Sequence, residues 1–295
     1  DTIFINGENY QITFEELSFA IGGRTKSLMG VGITSGLRIA IILDDSRDII
    51  EVLLSCWQLG AIPVLISSNA TIYEKNLFIT CSHPDMIITN WEISEDLPHI
   101  DVPVFPIEEL SQGFSGCAPS QLYDKSNLDQ ISLILFTSGS TGMPKAVQLT
   151  ERNLIESAAI WHEQLQFNQN DIYMNCLPMH HIGGISIFIR SLMYGFSTYQ
   201  LNEFNIQWIT NLIKHEEISL ISMVPTMLQR LLDKAENKLP SSLRGLIISG
   251  GPLSENLMNR CITHDIPIYK SYGMTETSSG VCGFWLHDYP KKFDS

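Results

Sequence analysis

Short apolar runs alternate with helical stretches along most of this 295-residue chain. Residues 38–43, 62–66 and 86–89 are apolar runs of strand length. Residues 48–59 and 72–81, which separate them, carry apolar residues at helical spacing. Strands that alternate with helices are typical of a parallel sheet covered by helices. The first part of the chain therefore predicts an α/β fold.

The same alternation resumes after residue 150. The predicted helices are 151–166, 184–194, 205–216, one that begins at Pro225, and 253–263; the predicted strands are 172–177, 198–201, 218–223, 245–249 and 266–270. This pattern favours two stacked, doubly wound sheets with covering helices. Residues 111–127 are rich in Ser, Gln, Gly, Asp and Asn and are interpreted as a linker. A first α/β subdomain is therefore predicted at residues 1–120 and a second at 121–295.

One connection in this pattern is rich in glycine and hydroxyl groups. Residues 136–145 read Phe-Thr-Ser-Gly-Ser-Thr-Gly-Met-Pro-Lys. Gly139 and Gly142 allow backbone N–H groups to converge on an anion, and Lys145 adds a positive charge. The hydroxyl donors are those of Thr137, Ser138, Ser140 and Thr141. The segment predicts a phosphate-binding loop, with Thr141 as a candidate ligand for Mg²⁺.

Two other interpretations of this loop are a Walker A loop and an ordinary connection between strands. A Walker A loop needs Gly-Lys-Ser/Thr at the start of a helix, whereas here Pro144 precedes the lysine and Ala146 and Val147 follow it. The apolar residues after the loop predict a strand, so the context is strand, loop, strand. An ordinary loop rich in serine and glycine is the plainer alternative, although most such loops lack the Pro-Lys exit.

Composition excludes several classes of function. With 18 basic and 32 acidic residues the formal charge is −14, so a broad surface for nucleic acid or anionic membrane is not expected. The six cysteines show no metal-binding spacing, which fits a reducing cytoplasm. The start of the chain shows no signal peptide, and no stretch is apolar enough for a membrane span. A homo-oligomer is left open.

Three further segments follow predicted strands. Residues 178–184 read Pro-Met-His-His-Ile-Gly-Gly, residues 249–252 read Ser-Gly-Gly-Pro, and residues 271–276 read Ser-Tyr-Gly-Met-Thr-Glu. In open α/β sheets, ligands bind at the carboxyl ends of the strands, so these segments and the phosphate loop form a candidate site. Single histidines or glycines in turns are more often structural, but the coincidence of four segments favours a site. Glu276 is a candidate Mg²⁺ ligand beside a polyphosphate.

Together the four segments resemble the adenylate-forming superfamily of acyl-CoA synthetases, luciferases and peptide-synthetase adenylation domains. The resemblance implies that residues 137–145 hold the phosphates of ATP, that Glu276 binds Mg²⁺ and that Thr275 touches the α-phosphate. It places His181 between nucleotide and acid, and it assigns catalytic roles to Lys145, His181, Thr275 and Glu276. The other implied nucleotide contacts are Gly250, Gly251, Pro252, Ser271, Tyr272, Gly273 and Met274. Ala146 departs from the usual glycine.

Within the superfamily, residues 178–195, with Arg190 and Met193-Tyr194-Gly195, together with residues 249–254 and 267–277, most resemble the o-succinylbenzoate:CoA ligases of menaquinone biosynthesis. The resemblance implies a reaction that uses ATP, Mg²⁺ and CoA, with His180, His181, Arg190 and Gly251 near the acid. That acid has a second carboxylate, and Arg190 is a candidate partner for it, although an arginine near a helix end more often only covers its helix. A fatty-acyl or aryl-acid ligase, or a non-catalytic nucleotide-binding fragment, are the alternatives.

The resemblance also implies segments that do not occur in these 295 residues. The family has a later Thr-Gly-Asp segment, whose aspartate binds the ribose, and a C-terminal lid domain that carries a catalytic lysine. Neither occurs between Glu276 and Ser295. The chain is therefore interpreted as the large N-terminal part of such an enzyme, with the lid domain absent, and as an incomplete catalyst.

Overall fold

The structure is a computed structural model that describes residues 3–7, 10–110, 127–138 and 142–288. It contains two β-sheets. The strands are β1 (Ile3–Asn6), β2 (Gln11–Thr13), β3 (Arg38–Ile42), β4 (Ile62–Leu65), β5 (Met86–Thr89), β6 (Val104–Pro106), β7 (Ile131–Thr137), β8 (Lys145–Thr150), β9 (Ile172–Asn175), β10 (Ser197–Gln200), β11 (Leu220–Met223), β12 (Gly245–Ile248), β13 (Ile268–Met274) and β14 (Ser279–Trp285).

Helices connect most of these strands. They are α1 (Phe14–Gly30), α2 (Ser46–Leu59), α3 (Ile72–Ser82), α4 (Trp91–Glu95), α5 (Glu151–Leu165), α6 (Ile182–Tyr194), α7 (Ile206–His215), α8 (Pro225–Ala235) and α9 (Glu255–Thr263). Helix α2 shows why such segments are helical. The Asp45 side chain accepts hydrogen bonds from the N–H groups of Arg47 and Asp48 at its start, and Gly60 ends it in the left-handed region, at φ 70°.

Both sheets are parallel in their centres. The six-stranded sheet has the order β6-β5-β3-β4-β7-β8, and only β8, which pairs with β7, is antiparallel to its neighbour. The eight-stranded sheet has the order β14-β13-β12-β11-β9-β10-β1-β2, with β14 antiparallel to β13. The α/β fold class and its parallel, helix-covered sheets are thereby confirmed.

The chain divides into two compact units, each with its own core. The first comprises residues 1–3, 12–155 and 179–182, and the second residues 4–11, 156–178 and 183–295. Strands β7 and β8 belong to the first unit because they extend its sheet through the pairing of β4 with β7. The subdomain boundary near residue 120 remains a prediction, and residues 111–126 of the predicted linker lie outside the described residues.

The structure differs from the sequence-based prediction mainly in β13. The strand was expected to end at residue 270, but it continues to Met274, paired with β14 across a bulge between Tyr272 and Gly273. The segment 271–274 is therefore strand, and the turn begins only at Thr275. In the part of the chain that the structure describes, no helix has the length and apolar character needed to cross a bilayer.

Candidate functional site

The predicted phosphate loop connects two antiparallel strands of the first unit. Thr137, the last residue of β7, lies opposite Lys145, the first residue of β8. A strand rather than a helix follows the lysine, as predicted, which excludes a Walker A arrangement. Gly142 has φ +79°, a conformation that favours glycine. The predicted contacts Gly139, Ser140 and Thr141, and with Thr141 one Mg²⁺ assignment, lie outside the described residues.

Donors at the base of this hairpin have no protein partner in the described residues. The Thr137 hydroxyl oxygen is buried and makes no hydrogen bond. Lys145 and Ser138 are exposed, and Lys145 forms no ion pair with any described carboxylate. A buried hydroxyl without a partner costs free energy, which a bound acceptor such as a phosphate oxygen would recover. The hairpin base therefore fits an anion.

A cavity of about 300 Å³ adjoins the hairpin within the first unit. Its apolar wall includes Phe78 and Phe136, whose rings lie 4.6 Å apart between centroids. Its polar lining includes Thr137, His180 and His181. The cavity thus brings together the start of the phosphate loop and both predicted histidines, which lie 43 and 44 positions after Thr137 in the sequence.

The two histidines are held as neutral imidazoles. Their ring centroids are 4.4 Å apart. Burial, and secondarily the neighbouring His181, lowers the pKa of His180 to about 4. Desolvation also lowers the pKa of His181, although its side chain is more exposed than that of His180. Neutral imidazoles can donate and accept one hydrogen bond each, so the pair suits positioning of a polar substrate group.

The lowered pKa of His180 predicts a pH-dependent stability. Between about pH 6.5 and about pH 4 the unfolded chain binds a proton that the folded protein does not, so the free energy of unfolding should fall as pH falls. We expect His180→Gln to remove a contribution on the order of 2 kcal/mol from this fall, measured by urea unfolding at several pH values. The control His264→Gln, at an exposed histidine, should keep the wild-type slope. An equal slope in wild type and His180→Gln would contradict the prediction.

In the second unit, the turn Gly250–Pro252 follows strand β12. Gly250 has φ +75°, and a Cβ there would lie 3.2 Å from Val224. The ammonium group of Lys270 donates a hydrogen bond of 2.6 Å to the carbonyl of Gly251. Burial lowers the pKa of Lys270. The hydrogen bond from Lys270 thus links the turn to strand β13, which contains the first residues of the predicted segment 271–276.

Strand β13 presents its predicted residues on alternate faces. Lys270 and Tyr272 share one face because side chains alternate along a strand, and the ring of Tyr272 is 60% exposed. Ser271, on the other face, is buried. Gly273 allows a close approach of β14: an added Cβ would lie 2.1 Å from the carbonyl oxygen of Ser279. The exposed ring of Tyr272 offers a flat surface suited to stacking with a base.

A tight turn places the predicted acidic residue. Thr275–Thr277 form a 3₁₀ turn, and the Thr277 hydroxyl donates to the carbonyl of Met274. Glu276 is exposed at this turn. Within the described ranges no group of three Asp, Glu, His or Cys side chains could hold a metal ion. A single carboxylate still fits Mg²⁺, because Mg²⁺ beside a nucleotide takes most of its ligands from phosphates and water.

Arg190 is a buried cation of helix α6. Its side chain is enclosed, with 2% of the residue exposed, and its guanidinium lies 4.3 Å above the ring of Trp161. It donates a 3.0 Å hydrogen bond to the hydroxyl of Ser279, while its Nε has no hydrogen-bond partner among the described residues. No described carboxylate forms an ion pair with it. Burial lowers the pKa of Arg190 to about 10.

Three other buried polar groups lack hydrogen bonds in the described residues, and each belongs to a residue that contacts Arg190 or lies close to Arg190 or Ser279 in the sequence. In the described part of the chain, the indole N–H of Trp161 and the hydroxyls of Ser186 and Ser278 are buried without hydrogen-bond partners. Sequence analysis identified Arg190 but missed Trp161 and Ser279. They lie 29 and 89 positions from Arg190, so no local spacing could reveal the contact. A buried arginine without a carboxylate, next to unsatisfied donors, suits an anionic ligand group.

Comparison with known proteins agrees with the fold described above. A family model described as AMP-binding enzyme matches residues 1–294. The chain is 30% identical, over 283 residues, to a 2-succinylbenzoate–CoA ligase of Bacillus cereus; the match covers 96% of this chain and 58% of that protein. The predicted resemblance to adenylate-forming enzymes is confirmed.

Solved structures give the same result. The o-succinylbenzoate CoA synthetase of Bacillus subtilis in complex with its acyl-adenylate intermediate is 27% identical, with a TM-score of 0.89, over 97% of this chain and 59% of that one. The same enzyme in complex with ATP and magnesium ion is 27% identical, with a TM-score of 0.89, over 97% and 60%. The chain thus spans no more than about three fifths of the length of these relatives.

Proposed function

The chain belongs to the family of AMP-binding enzymes, and from this we propose that it takes part in activating a carboxylic acid with ATP. The acid is o-succinylbenzoate, and the product is its CoA thioester. The base of the β7–β8 hairpin carries the proposal, because the Thr137 hydroxyl has no hydrogen-bond partner and Lys145 no ion pair among the described residues, so both can bind a phosphate. The relatives named 2-succinylbenzoate–CoA ligases support the choice of acid.

The proposed reaction has two steps. A carboxylate oxygen of the acid attacks the α-phosphorus of ATP, and pyrophosphate leaves with the electrons of the broken P–O bond. The sulfur of CoA then attacks the acyl carbon, and AMP leaves. Neither step needs a nucleophile from the protein, so the residues act through position and charge. We assign no Ser/His/Asp triad to this chain.

Each predicted site residue has a role in the first step. Lys145 and the loop donors hold the β- and γ-phosphates, and Thr275 contacts the α-phosphate. Tyr272 stacks with the adenine, and the turn Gly250–Pro252 lies along it. Glu276 holds Mg²⁺, which would neutralise charge on the departing pyrophosphate. These roles are carried over from the family onto residues whose exposure and donor groups are compatible with them.

The histidines and Arg190 are proposed to select the acid. His181 contacts the acyl group, with His180 beside it as a neutral donor and acceptor. Arg190 binds the carboxylate that does not react. A structural role, in which Arg190 only packs on Trp161 and fastens Ser279, is the alternative. The absence of any ion-pair partner among the described carboxylates favours the ligand role, since an unpaired buried cation is costly.

We expect Arg190→Met to weaken binding of the dicarboxylic acid selectively. Methionine keeps much of the packing on Trp161 but removes the charge, so KM for o-succinylbenzoate should rise by about 10 to 10²-fold in full-length enzyme. KM for a monocarboxylic aryl acid should change little. Arg152→Met, at an exposed arginine paired with Asp129, is the matched control. Equal effects on both acids would indicate a structural role.

A panel of acids tests the function itself. ATP–pyrophosphate exchange by the full-length protein should be fastest with o-succinylbenzoate. Faster exchange with fatty or simple aryl acids would favour the alternative ligases. ATP binding without exchange for any acid would favour a non-catalytic nucleotide-binding protein, and no ATP binding would overturn the proposal.

We propose a cytoplasmic location for this enzyme. The described cysteines, Cys56, Cys81, Cys176, Cys261 and Cys282, are all free thiols. Burial raises the pKa of Cys176 to about 12, which makes it inert as a nucleophile. Free thiols suit a reducing compartment. A homo-oligomer remains a prediction.

A further inference from the structure

Asn175 is a fully buried amide at the carboxyl end of strand β9. It lies opposite Gln200 of β10 in the parallel register, and both residues are almost inaccessible to solvent, at 0% and 4%. Its amide nitrogen donates to the side-chain oxygen of Gln200 at 2.9 Å and to the carbonyl of Gly184 at 3.1 Å. Its amide oxygen accepts the N–H of Leu177 at 3.1 Å. One side chain therefore contacts two points of the following loop.

Those two points are the ends of the loop that carries the histidines. The segment from Leu177 to Gly184, called loop 177–184 below, consists of residues 177–181 and the first residues of helix α6, which begins at Ile182, and His180 and His181 lie between its ends. The ends also approach each other closely at Gly184, where a Cβ would lie 2.3 Å from the carbonyl oxygen of Pro178. The hydrogen bonds of Asn175 and this close approach together close the base of the loop.

Asn175 is a polar residue at a buried position of a central strand, where an apolar residue is expected. Central strands of parallel sheets are mostly apolar, because both faces are covered. Burying an amide costs free energy unless its donors and acceptor are all used. The amide nitrogen and oxygen of Asn175 both have partners, and these include the carbonyl of Gly184 and the N–H of Leu177, which lie after strand β9. The buried amide thus connects the strand to the segment that follows it.

We propose that Asn175 is a positioning residue for the proposed ligase: by closing the base of loop 177–184, it determines where His180 and His181 stand and so how the acid is bound. The expected change in KM for the acid rests on the proposed function. The expected change in the position of the histidines does not. Asn175 touches neither substrate nor nucleotide in this proposal. Its effect passes through the backbone of the loop.

The test compares two variants that break the same buried pair. Asn175→Ala removes the hydrogen bonds to Gly184, Leu177 and Gln200, whereas Gln200→Met removes the cross-strand bond and the bond from the Gln200 amide to the Leu201 carbonyl. Gln200→Met thus leaves the contacts of Asn175 with Leu177 and Gly184 in place. Both should lower the melting temperature. In full-length enzyme, Asn175→Ala should raise KM for the acid by about tenfold and change KM for ATP by less than about twofold, while Gln200→Met changes neither beyond about twofold.

A second readout does not depend on catalysis. The imidazole ¹H–¹⁵N resonances of His180 and His181, recorded without substrate, should shift in Asn175→Ala and stay in place in Gln200→Met. If Asn175→Ala does not fold, Asn175→Ser, which keeps one hydroxyl, replaces it. Unchanged resonances, or the same KM for the acid in both variants, would overturn the inference. An inactive wild type would overturn the proposed function alone, since the resonances would still report on the loop.

Discussion

Lys145→Ala is expected to slow ATP–pyrophosphate exchange by about 10²-fold, or about 2.7 kcal/mol, in full-length enzyme. Lys145 begins β8 opposite Thr137, at the base of the predicted phosphate loop, and it has no described carboxylate partner. Its charge is therefore free to stabilise the phosphates as negative charge moves onto pyrophosphate. The exposed position predicts little change in folding stability, so the loss should be kinetic.

Two companion variants make this result specific. Lys145→Arg keeps the charge but not the compact ammonium, so it should recover part of the rate. Lys234→Ala, at an exposed lysine of helix α8, should exchange at the wild-type rate. Exchange at the wild-type rate in Lys145→Ala itself would remove the lysine from the site and leave the loop amides and hydroxyls to hold the phosphates.

Alternation of apolar runs was sufficient to predict the parallel parts of both sheets. Strands β3, β5 and β11 lie within or at the predicted ranges, because their residues are buried on both faces and carry few polar groups. Strand β14 was not predicted. Its sequence, Ser-Gly-Val-Cys-Gly-Phe-Trp, contains two glycines that usually indicate turns. Here Gly283 lies against the ring of Tyr269, where an added Cβ would come within 2.6 Å.

The second half of β13, residues 271–274, is strand although the sequence does not predict it. The sequence analysis ends this strand at residue 270 and places Ser-Tyr-Gly-Met after it, as part of a candidate site, and a glycine inside a strand usually weakens it. In the structure Gly273 lies at a bulge, where the carbonyl of Ser279 leaves no room for a side chain. The pairing with β14, which is not visible from local sequence, keeps these residues extended.

Long-range contacts account for the features of the site that sequence did not reveal. Arg190 was identified from the resemblance, but its place over Trp161 depends on the packing of α5 and α6. The bond from Asn175 to Gly184 spans nine positions and depends on the start of helix α6 at Ile182. Neither contact follows from a period of 3.6 or 2 residues, which is the information that local pattern contains.

Nucleotide binding and acyl transfer are expected to separate in these 295 residues. The residues assigned to the adenine and phosphates lie between Thr137 and Glu276, whereas the relatives are longer, and the chain spans 58–60% of their lengths. By resemblance, the ribose-binding aspartate and the lid lysine belong to the part of the family not represented here. The binding contacts that the family assigns therefore fall within these residues, whereas by resemblance the groups that act in the closed state fall in the part of the relatives that this chain does not match.

The 295 residues produced alone should bind ATP or a non-hydrolysable acyl-adenylate analogue but form acyl-CoA at least about 10²-fold more slowly than the full-length protein. Isothermal titration measures the first quantity and thioester formation the second. Lys145→Ala in the same 295 residues is the binding control, because it should weaken ATP without changing the fold. Turnover equal to that of the full-length protein would contradict the prediction, since the catalytic cation would then lie within this sequence. Lys270, whose ammonium already contacts the Gly251 carbonyl on the face shared with Tyr272, would be the first residue to replace.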